Sequence, residues 1–273
     1  MIIRDALSWA ENELREIPDP RLDGEYLLAH ILQMQRLPML LDKMRPLADD
    51  QWVAYQVLVA RRKGREPLQW ILGEQPFMGF SFKVDHRALI PRNDTEAVCE
   101  AALERIGPGM RVLDLCCGTG AIGIAIKKLR PGAQVTLSDL SADALSLAKE
   151  NASALQADVH ILQGDLFQTV VGEKFHLIVS NPPYIPDGLR GKLQQEVNRE
   201  PDMALFGGID GLDFYRRIIS EAPCHLHHGG WLVLECGDDQ PGQLAALLAA
   251  EFEEIAWIYD LNGHPRGASA RLR

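Results

Sequence analysis

The chain has 273 residues, 47% of them hydrophobic, and a formal net charge of −10 from 38 acidic and 28 basic side chains. That composition suits a soluble globular protein of one large or two modest domains. It leans against a general nucleic-acid binder, which carries a broad basic surface, and no apolar run reaches the length of a membrane span.

Five cysteines, Cys99, Cys116, Cys117, Cys224 and Cys236, show no C-x-x-C spacing. Neither a disulfide framework nor a zinc site is expected, and no other metal is called for. The first residues lack the long apolar core of a signal peptide, so the cytoplasm is the default compartment. Residues 1–72 read as a small helical domain. Ala6, Trp9, Ala10, Leu14 and Ile17 share one helical stripe, and Leu22, Tyr26, His30 and Leu32 with their neighbours form a second after Pro18-Asp19-Pro20. Asp49-Asp50 can cap a third helix carrying Trp52, Tyr55, Val59 and Ala60. His30 is read as packing, and Arg61-Arg62-Lys63-Gly64-Arg65 as a solvated helix end. With apolar stripes and no catalytic cluster, this domain suits recognition of a partner.

Residues 73–95 form a hairpin and linker. Pro76 to Val84 alternates and carries aromatics, as a short strand or hairpin does. Leu89 to Glu96 then brings Arg92, Asp94 and Glu96 close in sequence, either as a surface ion-pair cluster or facing a ligand. From 96 to 273 strands and helices alternate. The strands fall near 111–115, 134–138, 158–162, 175–180, 230–236, 255–260 and 267–272, and Ser141 caps the helix that begins at Ala142. This alternation predicts an α/β domain with a doubly wound, seven-stranded, mostly parallel sheet.

Two strand ends carry the chemistry. The strand Arg111 to Leu115 runs into Cys116-Cys117-Gly118-Thr119-Gly120 and an apolar helix, and the next strand ends at Asp139. A glycine-rich turn lets backbone approach a ligand at a helix N-terminus, and an acid after the next strand can hold ribose hydroxyls. Gly118 to Gly123 spells G-x-G-x-x-G, so a dinucleotide site is considered. Asp114 shifts the balance, because a carboxylate there repels a pyrophosphate and suits the ammonium of a methionine moiety. The second strand, Phe175 to Ser180, ends in Asn181-Pro182-Pro183-Tyr184. A planar NH2 group offers two donors; the Asn181 side-chain oxygen and the Pro182 carbonyl can accept one each. The prolines hold that carbonyl in place, and Tyr184 presents a flat face. Together these features look like an S-adenosylmethionine-dependent amino-methyltransferase.

Almost the whole chain resembles one family, the release-factor glutamine N5-methyltransferases (PrmC/HemK). Pro20-Arg21-Leu22-Asp23 with Leu27 to His30, and Arg65 to Gln69 with Gly73, are similar to its helical domain. Ile90 to Glu96 is similar to its linker signature, Val112 to Ile122 to its cofactor loop, and Ile178 to Pro186 with Glu200-Pro201 to its acceptor loop. Asp260-Leu261, Gly263 and Arg266 match its end. The resemblance implies a Rossmann-like methyltransferase fold and S-adenosylmethionine as cofactor. Asp114 and the turn Cys116, Cys117, Gly118, Thr119 and Gly120 would hold its methionine part, Asp139 with Leu140 its ribose, and Asp165 with Leu166 its adenine. Asn181, beside the cofactor, would join Pro182, Pro183 and Tyr184 around the acceptor, with Asn181 and Pro182 aiming the reacting nitrogen. The acceptor implied is the glutamine of a Gly-Gly-Gln loop in peptide-chain release factors.

Two positions depart from the family: Cys116 replaces a glycine and Asn93 a proline. A reactive Cys116-Cys117 pair is weighed against a small buried apolar pair, which is favoured. The alternatives are the same chemistry on an adenine or guanine amine and, from another class, a NAD-dependent oxidoreductase or an inactive ligand-binding scaffold. Nucleic acid is not expected as the direct substrate. The sequence does not set the oligomeric state; a monomer is favoured.

Overall fold

The computed structural model describes residues 1–273 and divides into two compact units. One comprises Met1–Glu74 and Gln194–Arg199, the other Gln75–Leu193 and Glu200–Arg273. No helix is long and apolar enough to cross a membrane.

The first unit contains α1 (Ile3–Glu13), α2 (Pro20–Leu32), α3 (Arg36–Leu41), α4 (Asp49–Lys63) and α5 (Leu68–Leu72). Ile3, Ala6 and Ala10 of α1 pack with Leu27 and Leu28 of α2 and with Tyr55 and Val59 of α4. In α4, Asp49 and Asp50 occupy the first turn and Arg61, Arg62 and Lys63 the last, each sign at the end the helix dipole favours. The cap itself is Ala48, whose N–H donates to Gln51 Oε1 at 3.1 Å.

Two expectations change here. Leu22 and Tyr26 are exposed, because α2 turns a different face inward. Its Asp23 accepts from Arg62 Nε at 2.6 Å, and its Gly24 carbonyl accepts from the Tyr55 hydroxyl at 2.9 Å. A Cβ at Gly24 would come within 3.2 Å of Ala10 Cβ and Tyr55 Oη, so the absence of a side chain sets the α1–α2 approach. The basic run is also not simply solvated. Arg62 is 5% exposed and its Nη1 reaches Glu196 at 2.8 Å, drawing the 194–199 segment into this unit. Burial pushes the Asp23 carboxyl up, against the opposing pull of Arg62.

The second unit opens on the hairpin β1 (Glu74–Phe77) and β2 (Phe80–Lys83), whose Phe77 and Phe82 rings meet edge to face. After α6 (Asp94–Leu103) come β3 (Arg111–Leu115), α7 (Ala121–Leu129), β4 (Gln134–Asp139), α8 (Ala142–Ala154), β5 (His160–Gln163) and β6 (Phe175–Ser180). Then follow α9 (Asp202–Leu205), α10 (Asp213–His225), β7 (Leu226–Glu235), α11 (Pro241–Leu248), β8 (Phe252–Tyr259) and β9 (Pro265–Leu272).

The sheet order is β5-β4-β3-β6-β7-β9-β8. Pairings are parallel from β5 to β7, and only β9 runs against its neighbours. This is the expected doubly wound, mostly parallel sheet. Apolar layers cover both faces, which explains why β3 and β6 read as nearly continuous apolar runs. From β3 the chain moves outward to β4 and β5, then returns to β6 on the other side. That reversal opens a crevice beyond the carboxyl ends of these strands. β7 begins earlier than expected, at Leu226, with a register shift opposite Phe175 and Leu177 that accommodates Gly229-Gly230.

Arg62→Met should destabilise the helical unit by about 3–5 kcal/mol, because it leaves Asp23 buried without its partner. Amide hydrogen exchange along α2 and α4 measures this as faster opening; unchanged protection there would show that the ion pair contributes little.

Candidate active site

A cavity of about 210 Å³ opens at the carboxyl edge of the sheet. The parallel register places Leu115 beside both Ser138 and Ser180, so the residues that follow in each strand emerge together. Cys116, Cys117, Thr119, Asp139, Leu140, Asp165, Leu166, Asn181 and Pro183 line the cavity. Asp114, Gly118, Gly120, Pro182 and Tyr184 are not among the lining residues but lie within two positions of ones that are.

The turn after β3 is built from left-handed backbone: φ is +56° at Cys116, +53° at Gly118 and +79° at Gly120. Gly120 is the N-cap of α7, and a Cβ there would approach Ile124 Cδ1 to 2.8 Å. Gly123 has a packing role. Its Cβ would meet Leu137 Cδ2 at 2.1 Å, so only glycine lets α7 lie this close to the sheet. The Gly123 N–H donates to Asp114 Oδ2 at 2.8 Å. Asp114 is 1% exposed, and its other oxygen has no hydrogen-bond partner. Burial pushes this carboxyl up to about 8, with a further upward push from Asp139.

Asp139 ties three elements together. Its Oδ2 accepts from Gly118 N at 2.8 Å, and its Oδ1 from Ser141 N at 2.9 Å; Ser141 in turn caps α8 by accepting from Ala144 N at 3.1 Å. Each oxygen retains acceptor capacity toward the cavity. Burial raises the Asp139 carboxyl, opposed by these backbone donors. On the far wall Asp165 pairs with Arg217 at 2.7 Å, and Leu166 is held at a φ of +48°. Such strain persists where surrounding structure enforces it.

The Asn-Pro-Pro-Tyr loop is pinned from behind. Ile185 N donates to Leu205 O, and Gly207 N to Ile185 O, each at 2.9 Å. Gln240 Nε2 donates to the Tyr184 carbonyl at 3.0 Å. A Cβ on Gly207 would sit 2.5 Å from the Pro183 carbonyl oxygen, and one on Gly211 would sit 2.2 Å from that of Tyr184. The Asn181 side-chain amide has no protein hydrogen bond, and no backbone donor reaches the Pro182 carbonyl. The loop is fixed while its two acceptors are left free.

Arg92, Asp94 and Glu96 do not cluster with one another. Arg92 pairs with Glu200, whose second oxygen accepts from Ile90 N at 2.9 Å. Asp94 pairs with Arg266 at 3.2 Å, and Glu96 accepts from Met78 N at 2.6 Å. All three fasten the linker within the second unit, although Pro91 and Thr95 between them line the cavity.

Residues 5–73 match the family model described as PrmC N-terminal domain, and residues 96–200 match the methyltransferase small domain. The chain is 41% identical over 274 residues to a release factor glutamine methyltransferase of Geobacter sulfurreducens, spanning 99% of this chain and 96% of that one. It is 39% identical to one of Deinococcus radiodurans, spanning 99% of each. The chain belongs to the release factor glutamine methyltransferase family. Among solved structures, a methyltransferase from Pyrococcus furiosus shares the fold, with a TM-score of 0.55 and 16% identity, over 80% of this chain and 96% of that one.

Membership in this methyltransferase family gives the two departures a physical reading. Asn93 adopts a φ of −62°, a value proline also takes, so the exchange leaves the backbone path open to either residue. Cys116 occupies a position whose φ suits glycine, which costs a side-chain-bearing residue roughly 1–2 kcal/mol. Burial pushes both the Cys116 and Cys117 thiols well up, so neither is a thiolate near neutral pH. Residues not singled out from the sequence are Thr95 on the cavity wall and Gly207, Gly211, Glu235 and Gln240 behind the loop. The only visible signal was the glycine density of Gly207-Gly208-Ile209-Asp210-Gly211.

Cys116→Gly should range from neutral to about 1 kcal/mol stabilising, since relief of strain is offset by greater freedom of the unfolded chain. Urea unfolding checks this, and a clear loss of stability would mean the thiol packs more favourably than its backbone costs. Asp114 gives a pH prediction. Its carboxyl is raised from 3.8 to about 8 on folding, so its contribution is fully present below the unfolded value and is lost as pH rises toward 8. Asp114→Asn should therefore gain on the wild type as pH rises through that window. Melting curves of the two proteins at several pH values test it; parallel pH dependence would show that Asp114 keeps an ordinary carboxyl.

Proposed function

We propose that this chain transfers a methyl group from S-adenosylmethionine to the side-chain nitrogen of the glutamine in the Gly-Gly-Gln loop of peptide-chain release factors. The observation that carries the chemistry is the free pair of acceptors, the Asn181 amide oxygen and the Pro182 carbonyl, on an otherwise fully pinned loop. The names and near-complete coverage of the relatives support a release factor as the protein substrate. We place the reaction in the cytoplasm, where the five free cysteines suit a reducing setting, with a monomer as the working species.

The residues present fit the cofactor. Asp139 faces the cavity with spare acceptor capacity for ribose hydroxyls, and Leu140, Asp165 and Leu166 continue that wall. The turn of Cys116 to Gly120 brings backbone close, with buried Asp114 behind it on the methionine side. S-adenosylmethionine, when bound, supplies an electrophilic sulfonium methyl group.

The glutamine amide is a poor nucleophile because its nitrogen lone pair is conjugated with its carbonyl. Asn181 and Pro182 accept its two N–H groups and thereby fix the direction of that lone pair. Pro182 and Pro183 restrict φ, and Gly207, Gly211 and Gln240 hold the loop from behind, so the acceptors are already in place before substrate arrives. Positioning of this kind contributes up to about 7–11 kcal/mol in favourable cases. As positive charge develops on the nitrogen, the same two oxygens stabilise it. The neutral thiols of Cys116 and Cys117 do not compete as nucleophiles, since reactivity belongs to the thiolate.

Asn181→Ala should lower single-turnover methylation of intact release factor by about 10²–10³-fold, while calorimetric affinity for S-adenosylhomocysteine stays nearly unchanged. Asn181→Asp, which keeps an oxygen but adds charge and removes the amide donor, should also be impaired. Near-normal methylation by the alanine variant would sink the acceptor assignment. Methylation of nucleic acid in place of release factor would overturn the choice of substrate.

A further inference from the structure

The mechanism above leaves one group unused, the carboxyl of Glu235 at the end of β7. The β6–β7 register pairs Ser180 with Leu234, so Glu235 is level with Asn181 on the neighbouring strand. Glu235 is 3% exposed and Thr95 is 4% exposed. Neither Glu235 Oε2 nor the Thr95 hydroxyl has a well-aligned hydrogen-bond partner, although the Thr95 side chain is close enough to lower the Glu235 carboxyl, and Glu235 Oε1 is met by the Tyr184 hydroxyl only at 3.5 Å. Thr95 also lines the cavity, as Asn181 and Pro183 do. Two buried polar groups therefore lie beside the acceptor loop, and the residue carrying one of them, Thr95, is part of the cavity wall.

An alkylated amide nitrogen must release a proton, and neither Asn181 nor a backbone carbonyl takes one at neutral pH. Asp139 is engaged by Gly118 and Ser141, and Asp114 is turned toward Gly123. Resting on the function proposed above, we infer that Glu235 is the acceptor of the proton released on methylation, and that the Thr95 hydroxyl passes it from the cavity. As the nitrogen–carbon bond forms, the carbon–sulfur bond breaks and its electron pair stays on sulfur. The nitrogen keeps the electron pair of its broken N–H bond. That proton moves to Thr95 Oγ1 while the proton of Thr95 moves to Glu235 Oε2, leaving a neutral threonine and a neutral glutamic acid.

The environment suits the task. Burial pushes the Glu235 carboxyl up to about 7, Asp94 of α6 adds to that rise, and Thr95, Tyr184 and Arg266 of β9 oppose it. The neighbouring Cys236 thiol is pushed up as well and stays neutral. A carboxyl poised near the working pH is ionised often enough to accept a proton and basic enough to hold it. Below about pH 7 Glu235 is already protonated and the route closes, so the methylation rate should fall on the acid side.

The test uses full-length enzyme in single-turnover methylation of release factor across pH 5.5–9 at saturating cofactor, roughly the range that brackets such a titration. The wild type should show an acid limb centred near 7. Glu235→Gln should be slower by about 10²-fold and should lose that limb, with affinity for S-adenosylhomocysteine unchanged. Thr95→Val should be similarly slow and Thr95→Ser close to wild type, because serine restores the hydroxyl. A Glu235→Gln enzyme that keeps the wild-type rate or the acid limb overturns the proposal, as does a fully active Thr95→Val. An infrared titration of wild type against Glu235→Gln, without substrate, reads the carboxyl directly. A carboxyl band with its midpoint near 7 supports the acceptor, and one with an ordinary low midpoint refutes it. Failure of the release factor to be methylated by wild type leaves that titration intact and counts against the proposed substrate instead.

Discussion

Leu115, Ser138 and Ser180 stand side by side in the parallel register of β3, β4 and β6, and the site depends on that alignment. The backbone of each strand continues past the same level, so the turn at Cys116, the carboxylate of Asp139 and the amide of Asn181 converge without any of them reaching across the sheet. Hydrogen bonding then hardens the convergence. Asp139 joins the turn to the start of α8 through two backbone donors, which means it supports the loop as well as facing the cavity. A change at Asp139 acts on the shape of the turn as well as on any ligand that it would hold.

The two sides of the site use different means of rigidity. On the turn side, close packing dominates: Gly120 and Gly123 let α7 press against Leu137 and Asp114. On the acceptor side, Gly207 and Gly211 press against carbonyls of Pro183 and Tyr184, and Gln240 adds a side-chain donor. Proline restricts the loop from within while glycine permits contact from without. The loop's free acceptors are therefore set by neighbours that do not themselves face the cavity.

Much of this was legible in the sequence because it depends on local pattern. Apolar runs closed by turn residues marked the strands, and Asn-Pro-Pro-Tyr at the end of one of them pointed to the loop proposed here to hold the acceptor. What escaped depends on pairing between distant residues. The inward face of α2 is decided by Asp23 meeting Arg62, so a stripe drawn through Leu22 and Tyr26 chose the wrong side. Arg92, Asp94 and Glu96 looked like a cluster because they are near in sequence, yet each finds its partner elsewhere. Glu235 ended a strand without any motif around it, and only the register beside Asn181 gives it a place. Asp114 could be assigned to the turn from its spacing, but its orphaned oxygen and complete burial are properties of packing.

The excursion of residues 194–199 into the helical unit has a consequence for biogenesis. The five helices are finished early in synthesis, yet the partner of Arg62 at Glu196 leaves the ribosome only after most of the sheet has been made. Domains generally fold as units, from the N-terminus, as the chain emerges. Here the first unit must hold a buried guanidinium only partly satisfied, by Asp23 and the Glu66 carbonyl, until that later segment arrives. Its maturation is thereby tied to completion of the chain past the Asn-Pro-Pro-Tyr loop, and nascent chains stalled before residue 194 should carry a looser helical unit than released protein.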